Sequence, residues 1–260
     1  SLRFLLPIFF MMYNMEKTEV IIKIEKLHKQ FGTNVVLDGF DMELREGENL
    51  VVMGKSGSGK SVMIKCIIGL LEQDAGDITV LNDDVINLNS KELDELRAKV
   101  GFLFQSNALY DSMTVRENLE FPLRRHWIKL TAAETNEKVM EVLTNVGLAH
   151  TVDMMPAELS GGMRKRISLA RTIVVDPLIM LYDEPTTGLD PVTSDEISAL
   201  ILDVQKKYKT SSIIITHDIK CALHTANRIV MLREGLVFME GKPEDFKQST
   251  DEYIQSFSFQ

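Results

Sequence analysis

The chain has 260 residues, of which 45% are apolar and 26% are charged. This length and composition allow one sizeable hydrophobic core with room for a small subdomain. The formal net charge of -9 argues against nonspecific nucleic-acid binding, because that affinity comes largely from Lys and Arg neutralising phosphates. We therefore expect no nucleic-acid partner, and any site for a phosphate group must be local.

Residues 1–15 are predicted to be a non-native or disordered extension. Their apolar segment is interrupted by Pro7 and is shorter than the ~20 apolar residues that span a bilayer. No small-residue cleavage site of a signal peptide follows it. We interpret a position near Met15 as the natural start; the alternative is an amphipathic tether to a membrane partner. No later segment has a transmembrane pattern, so any membrane role is expected to be peripheral.

The first folded elements are predicted between residues 20 and 71. Residues 20–24 and 40–44 alternate apolar and polar side chains, which is typical of antiparallel strands with one solvated face. Residues 50–53 are continuously apolar, which indicates a strand buried on both faces. Glycines follow at once, and residues 62–71 then have helical spacing. The pattern is strand, loop, helix.

Two further buried strands are predicted later in the chain. Residues 178–182 end in Asp183 and Glu184, and residues 212–216 end at His217. Because helical stretches separate these strands, we expect a parallel sheet covered by helices.

The middle of the chain is predicted to be a mostly helical insertion. Residues 131–146 carry helical apolar spacing without a strand signal, and Pro122 and Pro156 roughly bracket the insertion. Near the end, residues 229–232 and 236–240 are predicted to pair as a hairpin. We find no internal repeat, so the chain carries one such unit.

Cys66 and Cys221 are the two cysteines of the chain. They stand far apart in apolar surroundings, which favours reduced core thiols in a reducing compartment over a disulfide framework. We predict that both serve packing.

A phosphate-binding loop is predicted between the buried strand at 50–53 and the helix that follows it. The segment matches G-x-x-x-x-G-K-[ST]. Glycines let backbone amides turn inward around phosphate oxygens, and the helix N-terminus and a lysine add positive charge. The final serine is placed to hold Mg²⁺. The eight residues are Gly54, Lys55, Ser56, Gly57, Ser58, Gly59, Lys60 and Ser61.

Phosphoryl transfer also requires a second acid that orients the metal and a group that activates water. Asp183 is assigned to the Mg²⁺ shell and Glu184 to the general base. His217 ends a strand of the same parallel sheet, whose carboxyl edge gathers ligand-binding groups. A carboxylate pair alone is usually a solvated turn, but its partnership with the phosphate loop favours metal-binding and catalytic roles. A lone His is more often structural, and the catalytic role of His217 rests mainly on the family resemblance given next.

The segment Leu159-Ser160-Gly161-Gly162-Met163 resembles the signature sequence of ABC ATPases. Ser160 and two glycines open a helix, and this arrangement forms a second anion site. One chain needs one cradle for one triphosphate, so a second cradle makes sense if it closes over the ATP of a partner. The resemblance implies a head-to-tail homodimer with two composite ATP sites, each made of one chain's phosphate loop and the other's signature.

The resemblance extends over residues 20 to about 241 and assigns roles to three more residues. Phe31 matches the aromatic residue that stacks on adenine. Gln105 matches the glutamine that touches Mg²⁺ and senses a permease, and Asp190 lies in a loop that crosses the dimer. Each has an ordinary structural alternative: Phe31 in a subdomain core, Gln105 as a polar strand end and Asp190 as a turn residue.

We therefore predict an α/β fold with a P-loop NTPase parallel-sheet core, an N-terminal antiparallel β subdomain and an inserted α-helical subdomain. Residues 16–245 are assigned to an ABC ATPase domain, with the helical subdomain at about 106–165. Residues 246–260 are assigned to a C-terminal tail. Its aromatic residues either pack on their own core or clasp the opposite subunit; with Phe246 they are Tyr253, Phe257 and Phe259.

Residues 101–109, 113–124 and 162–166 resemble the ATPases of MCE-associated (Mla-type) phospholipid transporters. Many ABC importers and lipoprotein exporters instead carry Gln or Glu where Met163 stands. The resemblance implies work at the cytoplasmic side of a bacterial inner membrane, with a permease and an MCE-domain lipid-binding protein as partners. The alternatives are another transported cargo, a soluble ABC ATPase of translation or DNA maintenance, and ATP binding without hydrolysis.

Overall fold

A computed structural model describes residues 19–106, 108–124 and 128–258. The proposed N-terminal extension and Phe259 lie outside the described residues. In chain order the strands are β1 Val20–Phe31, β2 Asn34–Arg45, β3 Asn49–Gly54, β4 Ala75–Val80, β5 Asp83–Asp84, β6 Val100–Leu103, β7 Ile179–Asp183, β8 Ser211–Ile215, β9 Arg228–Arg233 and β10 Leu236–Gly241. The helices are α1 Lys60–Ile67, α2 Ser90–Ala98, α3 Val115–Leu123, α4 Ala132–Asn145, α5 Gly161–Ile173, α6 Pro191–Tyr208, α7 Ile219–Thr225, α8 Pro243–Gln248 and α9 Glu252–Gln255.

The strands form two sheets. The smaller one is antiparallel, with strand order β2-β1-β4-β5, and the larger one has strand order β10-β9-β3-β8-β7-β6. Neighbours in the larger sheet run parallel except for the edge pair of β9 and β10. The predicted fold class, a parallel core with an N-terminal antiparallel subdomain and added helices, is confirmed.

The larger sheet lies between two hydrophobic cores. Along β3, Val51 and Met53 join the core beneath the helices α3 to α7, whereas Leu50 and Val52 face the core shared with α1 and the antiparallel sheet. Successive side chains of a strand point to opposite faces, so a strand between two cores must be apolar throughout. Each such buried side chain contributes about 1.5–3 kcal/mol. Burial on both faces fixes the position of β3, and therefore the position of the loop that follows it.

The segment between β6 and β7 is helical, as its spacing predicts. Thr114 and Thr131 cap α3 and α4, and each forms a capping box with a Glu three residues on. Pro122 does not bracket this region: it lies inside the last turn of α3, where a proline forgoes only one helical hydrogen bond. Among the described residues, no helix has both the length and the apolar composition required to cross a bilayer.

The C-terminal segment packs on its own chain. Phe246 and Ile254 are each 1% exposed and belong to the core beneath the helices. The hydroxyl of Tyr253 donates to the carbonyl of Leu232, at the end of β9, at 2.9 Å. Of the two alternatives for the tail, packing on its own core is the one seen in the single chain.

Both cysteines are free and buried, which confirms the prediction of core thiols. Burial raises the pKa of each thiol, Cys66 and Cys221, to about 11. We expect iodoacetamide at pH 8 to leave the native chain unlabelled and to label both residues in denaturant, because the thiolate is the nucleophile. Mass spectrometry reads the result, and rapid native labelling would contradict the described packing.

The same shift predicts a pH dependence of stability. The folded-state pKa of each thiol lies above its ordinary value of 9.0, so folding favours the protonated thiols. Their contribution is complete below about pH 9 and is lost as the pH rises through about 11. Urea midpoints measured at several pH values for the native chain and for a Cys66→Ala, Cys221→Ala chain should converge over this window.

Candidate active site

The loop of residues 54–61 connects β3 to α1 at the carboxyl edge of the larger sheet. Gly54 and Gly59 have φ values of 155° and 101°. A Cβ at Gly54 would lie 2.7 Å from the carbonyl oxygen of Leu232, and one at Gly59 would lie 2.9 Å from that of Val36. Glycine is therefore required at both positions by conformation and by close backbone approach.

Lys60 lies inside this loop and is 7% exposed. Its Nζ donates to the carbonyl oxygens of Gly54 at 2.8 Å and Lys55 at 3.0 Å, and to Ser58 Oγ at 3.4 Å. Burial lowers the pKa of the ammonium, and the negative charges of Glu184 and Asp183, at the end of β7, oppose this effect. The loop thus surrounds a cation, as a site for an anion requires.

Ser61 and Asp183 lie together at one end of the loop. Ser61 Oγ is 3.4 Å from Asp183 Oδ1. Burial raises the pKa of Asp183, the neighbouring charge of Glu184 raises it further, and the Ser61 hydroxyl opposes both effects. Carboxylate and hydroxyl oxygens are ligands that Mg²⁺ accepts, and Mg²⁺ commonly takes one or two protein oxygens together with substrate phosphates. The donor set therefore fits this ion.

Glu184 is held in place by two side chains. Its Oε2 lies 2.8 Å from His217 Nδ1 and accepts a hydrogen bond from Thr187 Oγ1 at 3.0 Å. Its backbone N–H donates to the carbonyl of Ile215 on β8 at 2.9 Å. Its φ of 51° is left-handed, a conformation that costs a non-glycine residue about 1–3 kcal/mol. Such strain is typical of functional positions, and these contacts maintain it.

One cleft of about 620 Å³ brings these groups together. It is lined by the loop residues Gly54, Lys55, Ser56, Gly57, Ser58, Gly59, Lys60 and Ser61, by Gln105, Asp183, Glu184 and His217, and by Asn34, Val36, Val62 and Phe257. Phe31 is outside this set: it ends β1 with 49% of its surface exposed, although its register partner on β2, Asn34, does line the cleft.

The signature residues also lie outside the cleft lining. Ser160 caps α5, and its Oγ accepts from the backbone N–H of Met163 at 3.2 Å. A Cβ at Gly161 would meet nothing within 4 Å, whereas one at Gly162 would lie 2.6 Å from Cγ2 of Thr193. The opening of this helix therefore presents an open face at Gly161 and is closely packed at Gly162.

Asp190 lies outside the cleft lining as well. It caps α6 and accepts hydrogen bonds from the backbone N–H groups of Val192 at 3.1 Å and Thr193 at 3.0 Å. The Thr193 hydroxyl donates to it at 2.6 Å and lowers the pKa of its carboxyl. Within the single chain, Asp190 therefore caps a helix, which is close to the turn role given as its structural alternative.

Sequence reasoning missed several residues of the site. Thr187 holds the carboxylate of Glu184. Lys165, on α5, is 2% exposed, and its Nζ donates to the carbonyl oxygens of Phe104 at 3.2 Å and Gln105 at 3.1 Å. Burial lowers its pKa to about 8. A lysine within a helix carries no sequence signal of burial.

A glycine-lined loop around a lysine, after a buried strand and beside two carboxylates at the carboxyl edge of a parallel sheet, defines a P-loop nucleoside triphosphatase. The comparisons with known proteins give the family. The protein-family model described as "ABC transporter" matches residues 37–187 of this chain. The chain belongs to the ABC transporter family, as an ATP-binding and ATP-hydrolysing domain.

Two curated relatives and one solved structure show the extent of the likeness. The chain is 39% identical to the "Probable ribonucleotide transport ATP-binding protein mkl" of Mycobacterium leprae, over 92% of this chain and 68% of that protein. It is 34% identical to the "Intermembrane phospholipid transport system ATP-binding protein MlaF" of Haemophilus influenzae, over 91% of this chain and 89% of that protein. A dimeric ATP-binding cassette in a post-hydrolysis state with ADP and Pi superposes with a TM-score of 0.77 at 31% identity, over 85% and 98% of the two chains. The chain thus spans about two thirds of the mycobacterial relative and most of MlaF.

Proposed function

We propose that the chain is the ATPase subunit that powers phospholipid transport at the cytoplasmic side of a bacterial inner membrane. The supporting observation is that the match to MlaF, a phospholipid transport ATP-binding protein by name, runs through 89% of that protein. The match to the ribonucleotide transport protein leaves about a third of it uncovered. The resemblance of residues 101–109, 113–124 and 162–166 to Mla-type ATPases supports the same cargo.

Two copies of the chain would act head to tail. Within one chain, the phosphate loop lines the cleft while Ser160, Gly161 and Gly162 do not, and the face at Gly161 is open. A related cassette is a dimer. The signature cradle would therefore close over the nucleotide held by the partner's loop, with the loop of Asp190 crossing between the subunits.

Gly161→Ala tests this arrangement. An Ala at this helical position meets no neighbouring atom and favours the helix, so the melting temperature should not fall. Its methyl group would occupy the face assigned to the partner's nucleotide, and ATP turnover should fall by at least about tenfold, a loss of about 1.4 kcal/mol in transition-state binding. Phosphate release and thermal denaturation measure the two effects.

Gly162→Ala is the matched comparison. Its Cβ would clash with Thr193, so this variant should lose about 1–3 kcal/mol of stability through overpacking. Wild-type turnover in the Gly161→Ala chain would show that the signature residues do not contact the partner's nucleotide, and would contradict the proposed composite site.

The phosphate end of the cleft would bind ATP through the amides of residues 54–61 and the ammonium of Lys60. Phe31, next to the cleft, would stack on adenine. Ser61, Asp183 and Gln105 would hold Mg²⁺, which supplies charge neutralisation on the phosphate oxygens. For this role Asp183 must be deprotonated. Burial and the charge of Glu184 raise its pKa, and Ser61, Lys65 and Lys60 oppose that shift.

Glu184 would orient the attacking water and accept its proton. The carboxylate oxygen Oε2 contacts His217 and Thr187, so we assign Oε1 to the water. As the water oxygen bonds to the γ-phosphorus, the bond to the bridging oxygen of ADP breaks. His217, together with Ser160 and Gly162 of the partner subunit, would stabilise the charge on the γ-phosphate. Release of ADP and phosphate would open the dimer.

The partners would be a membrane permease and an MCE-domain lipid-binding protein. The segment from Gln105 into α3 would transmit opening and closing to the permease, because it leaves the cleft at Gln105 and continues into the helical region. The chain itself would be peripheral to the membrane.

The test is affinity purification of the tagged Glu184→Gln chain with ATP from membranes of the native host, with a tagged Glu95→Gln chain as control. Recovery of a permease and an MCE-domain protein supports the proposal. A permease recovered with a soluble substrate-binding protein would overturn the lipid cargo and retain the transporter. Recovery of no membrane protein would favour a soluble ABC ATPase.

A further inference from the structure

The last described residues of the chain form an anchored element beside the phosphate loop. Asp251 caps α9 by accepting from the backbone N–H groups of Tyr253 at 2.8 Å and Ile254 at 3.2 Å. Ile254 is 1% exposed and belongs to a hydrophobic core. The side chains that follow are thus presented from a fixed position.

Tyr253 connects this element to the phosphate loop. Its hydroxyl donates to the carbonyl of Leu232 at 2.9 Å. The Nζ of Lys55, within the loop, lies 5.2 Å from the centre of its ring, and the guanidinium of Arg233 lies 5.1 Å from it. Cations at these distances are attracted to the face of an aromatic ring. One side chain therefore joins the end of β9, the phosphate loop and α9.

Phe257 extends from Tyr253 into the cleft. The two rings meet edge to face with centroids 5.4 Å apart, a favoured arrangement for aromatic pairs. Phe257 is half-buried and lines the same cleft as Asn34, Val36 and the phosphate loop. Its ring faces the space in which a nucleotide bound to the loop would lie.

The ring of Phe257 supplies an aromatic face, which the other residues of the cleft lining lack. Glycines, serines, charged groups and amides dominate the lining, and Val36, Val62 and Phe257 are its apolar side chains. A purine base presents flat aromatic faces that gain from contact with an aromatic ring. Phe31, to which adenine stacking is assigned, lies beside the cleft lining and not within it. Phe257 is the one aromatic residue among the described lining residues, and it would meet the base in addition to Phe31.

We propose that Phe257 is a nucleotide-binding residue that contacts the purine base within its own chain, and that Tyr253 positions it. The inference rests on the cleft being the ATP site. It assigns binding of the base to residues outside the P-loop and the signature. The C-terminal element is then part of the nucleotide site of the chain that carries it.

The test compares a nucleotide with a ligand that has no base. Dissociation constants for Mg-ADP and for magnesium pyrophosphate are measured by calorimetry on the full chain, at concentrations where sedimentation shows a monomer. Phe257→Ala should raise the constant for Mg-ADP by about tenfold or more and leave that for pyrophosphate unchanged. Phe257→Tyr should retain ADP affinity, because the aromatic face is kept.

Tyr253→Phe removes the hydroxyl that donates to Leu232 and keeps the ring contacts with Lys55, Arg233 and Phe257. It should weaken ADP binding less than Phe257→Ala does and again spare pyrophosphate. Phe121→Ala, an exposed aromatic deletion on α3, is the control and should change neither constant.

Each other outcome overturns the inference. Tighter binding of both ligands by Phe257→Ala would identify the ring as a plug of the cleft. An unchanged ADP constant would exclude contact with the base within the chain and direct attention to the partner subunit. Failure of the wild-type chain to bind either ligand would instead refute the nucleotide site itself.

Discussion

Glu184→Gln lowers steady-state ATP turnover by about 10²- to 10⁴-fold and leaves ATP binding intact. The amide has the shape of the carboxylate and its oxygen still accepts from Thr187, whose hydroxyl lies 3.0 Å from Glu184 Oε2 in the native chain. An amide cannot take the proton of the attacking water, so the ATP-bound state persists. Phosphate release measures turnover, and size-exclusion chromatography with ATP should show accumulation of a dimer.

Glu95→Gln is the control for the charge change, because Glu95 is exposed on α2 and contacts Lys91. It should keep wild-type turnover and show no trapped dimer. Normal turnover in the Glu184→Gln chain would exclude Glu184 as the base. Lost turnover without ATP binding would show that the carboxylate maintains the site itself, through its contacts with His217 and Thr187.

The central strand, the phosphate loop and its helix were predictable because their signals are local. A strand between two cores must be apolar at every position, and residues 50–53 meet that requirement. The glycines that follow occupy conformations that other residues rarely adopt, at Gly54 and Gly59. The meeting of Asp183, Glu184 and His217 also followed from sequence, because neighbouring parallel strands end at the same edge of a sheet.

Other elements escaped prediction because their patterns are broken. The alternation in β1 fails after Ile24, where the register with β2 shifts between Ile24 and Leu27, so only its first residues were recognised as a strand. β4 opens with Ala-Gly-Asp, and β6 has four residues with a glycine at its second position. Bulges and short edge-like strands of this kind obscure a period of two.

The part of the candidate site that the sequence did not predict depends on tertiary contacts alone. Lys165 is a charged residue in a helix, and only the packing of α5 against the end of β6 shows that its ammonium holds the carbonyls of Phe104 and Gln105. Phe257 follows the phosphate loop by about 200 residues along the sequence. Its aromatic neighbours could be noted from sequence, but their position beside Lys55 could not.

Lys60→Ala weakens ATP binding at the level of the dissociation constant. The native ammonium is buried inside the loop, where a hydrogen bond to a charged phosphate is worth about 1.5–3 kcal/mol, so the constant should rise by about ten- to a hundredfold. Helix α1 should remain folded, because its apolar side chains Met63, Ile64 and Ile67 are fully buried. Calorimetry with Mg-ATP measures the binding, and thermal denaturation checks the fold.

Lys60→Met separates charge from packing, since its unbranched side chain keeps much of the lysine stem in place. If the charge binds phosphate, Lys60→Met should lose as much affinity as Lys60→Ala. If the stem only fills the loop, Lys60→Met should bind ATP like the native chain. Lys91→Ala removes an exposed charge on α2 and should change nothing. Native affinity in a folded Lys60→Met chain would mean that the loop binds phosphate through its backbone amides. The role of the lysine would then be limited to holding the loop closed through its hydrogen bonds to the carbonyls of Gly54 and Lys55.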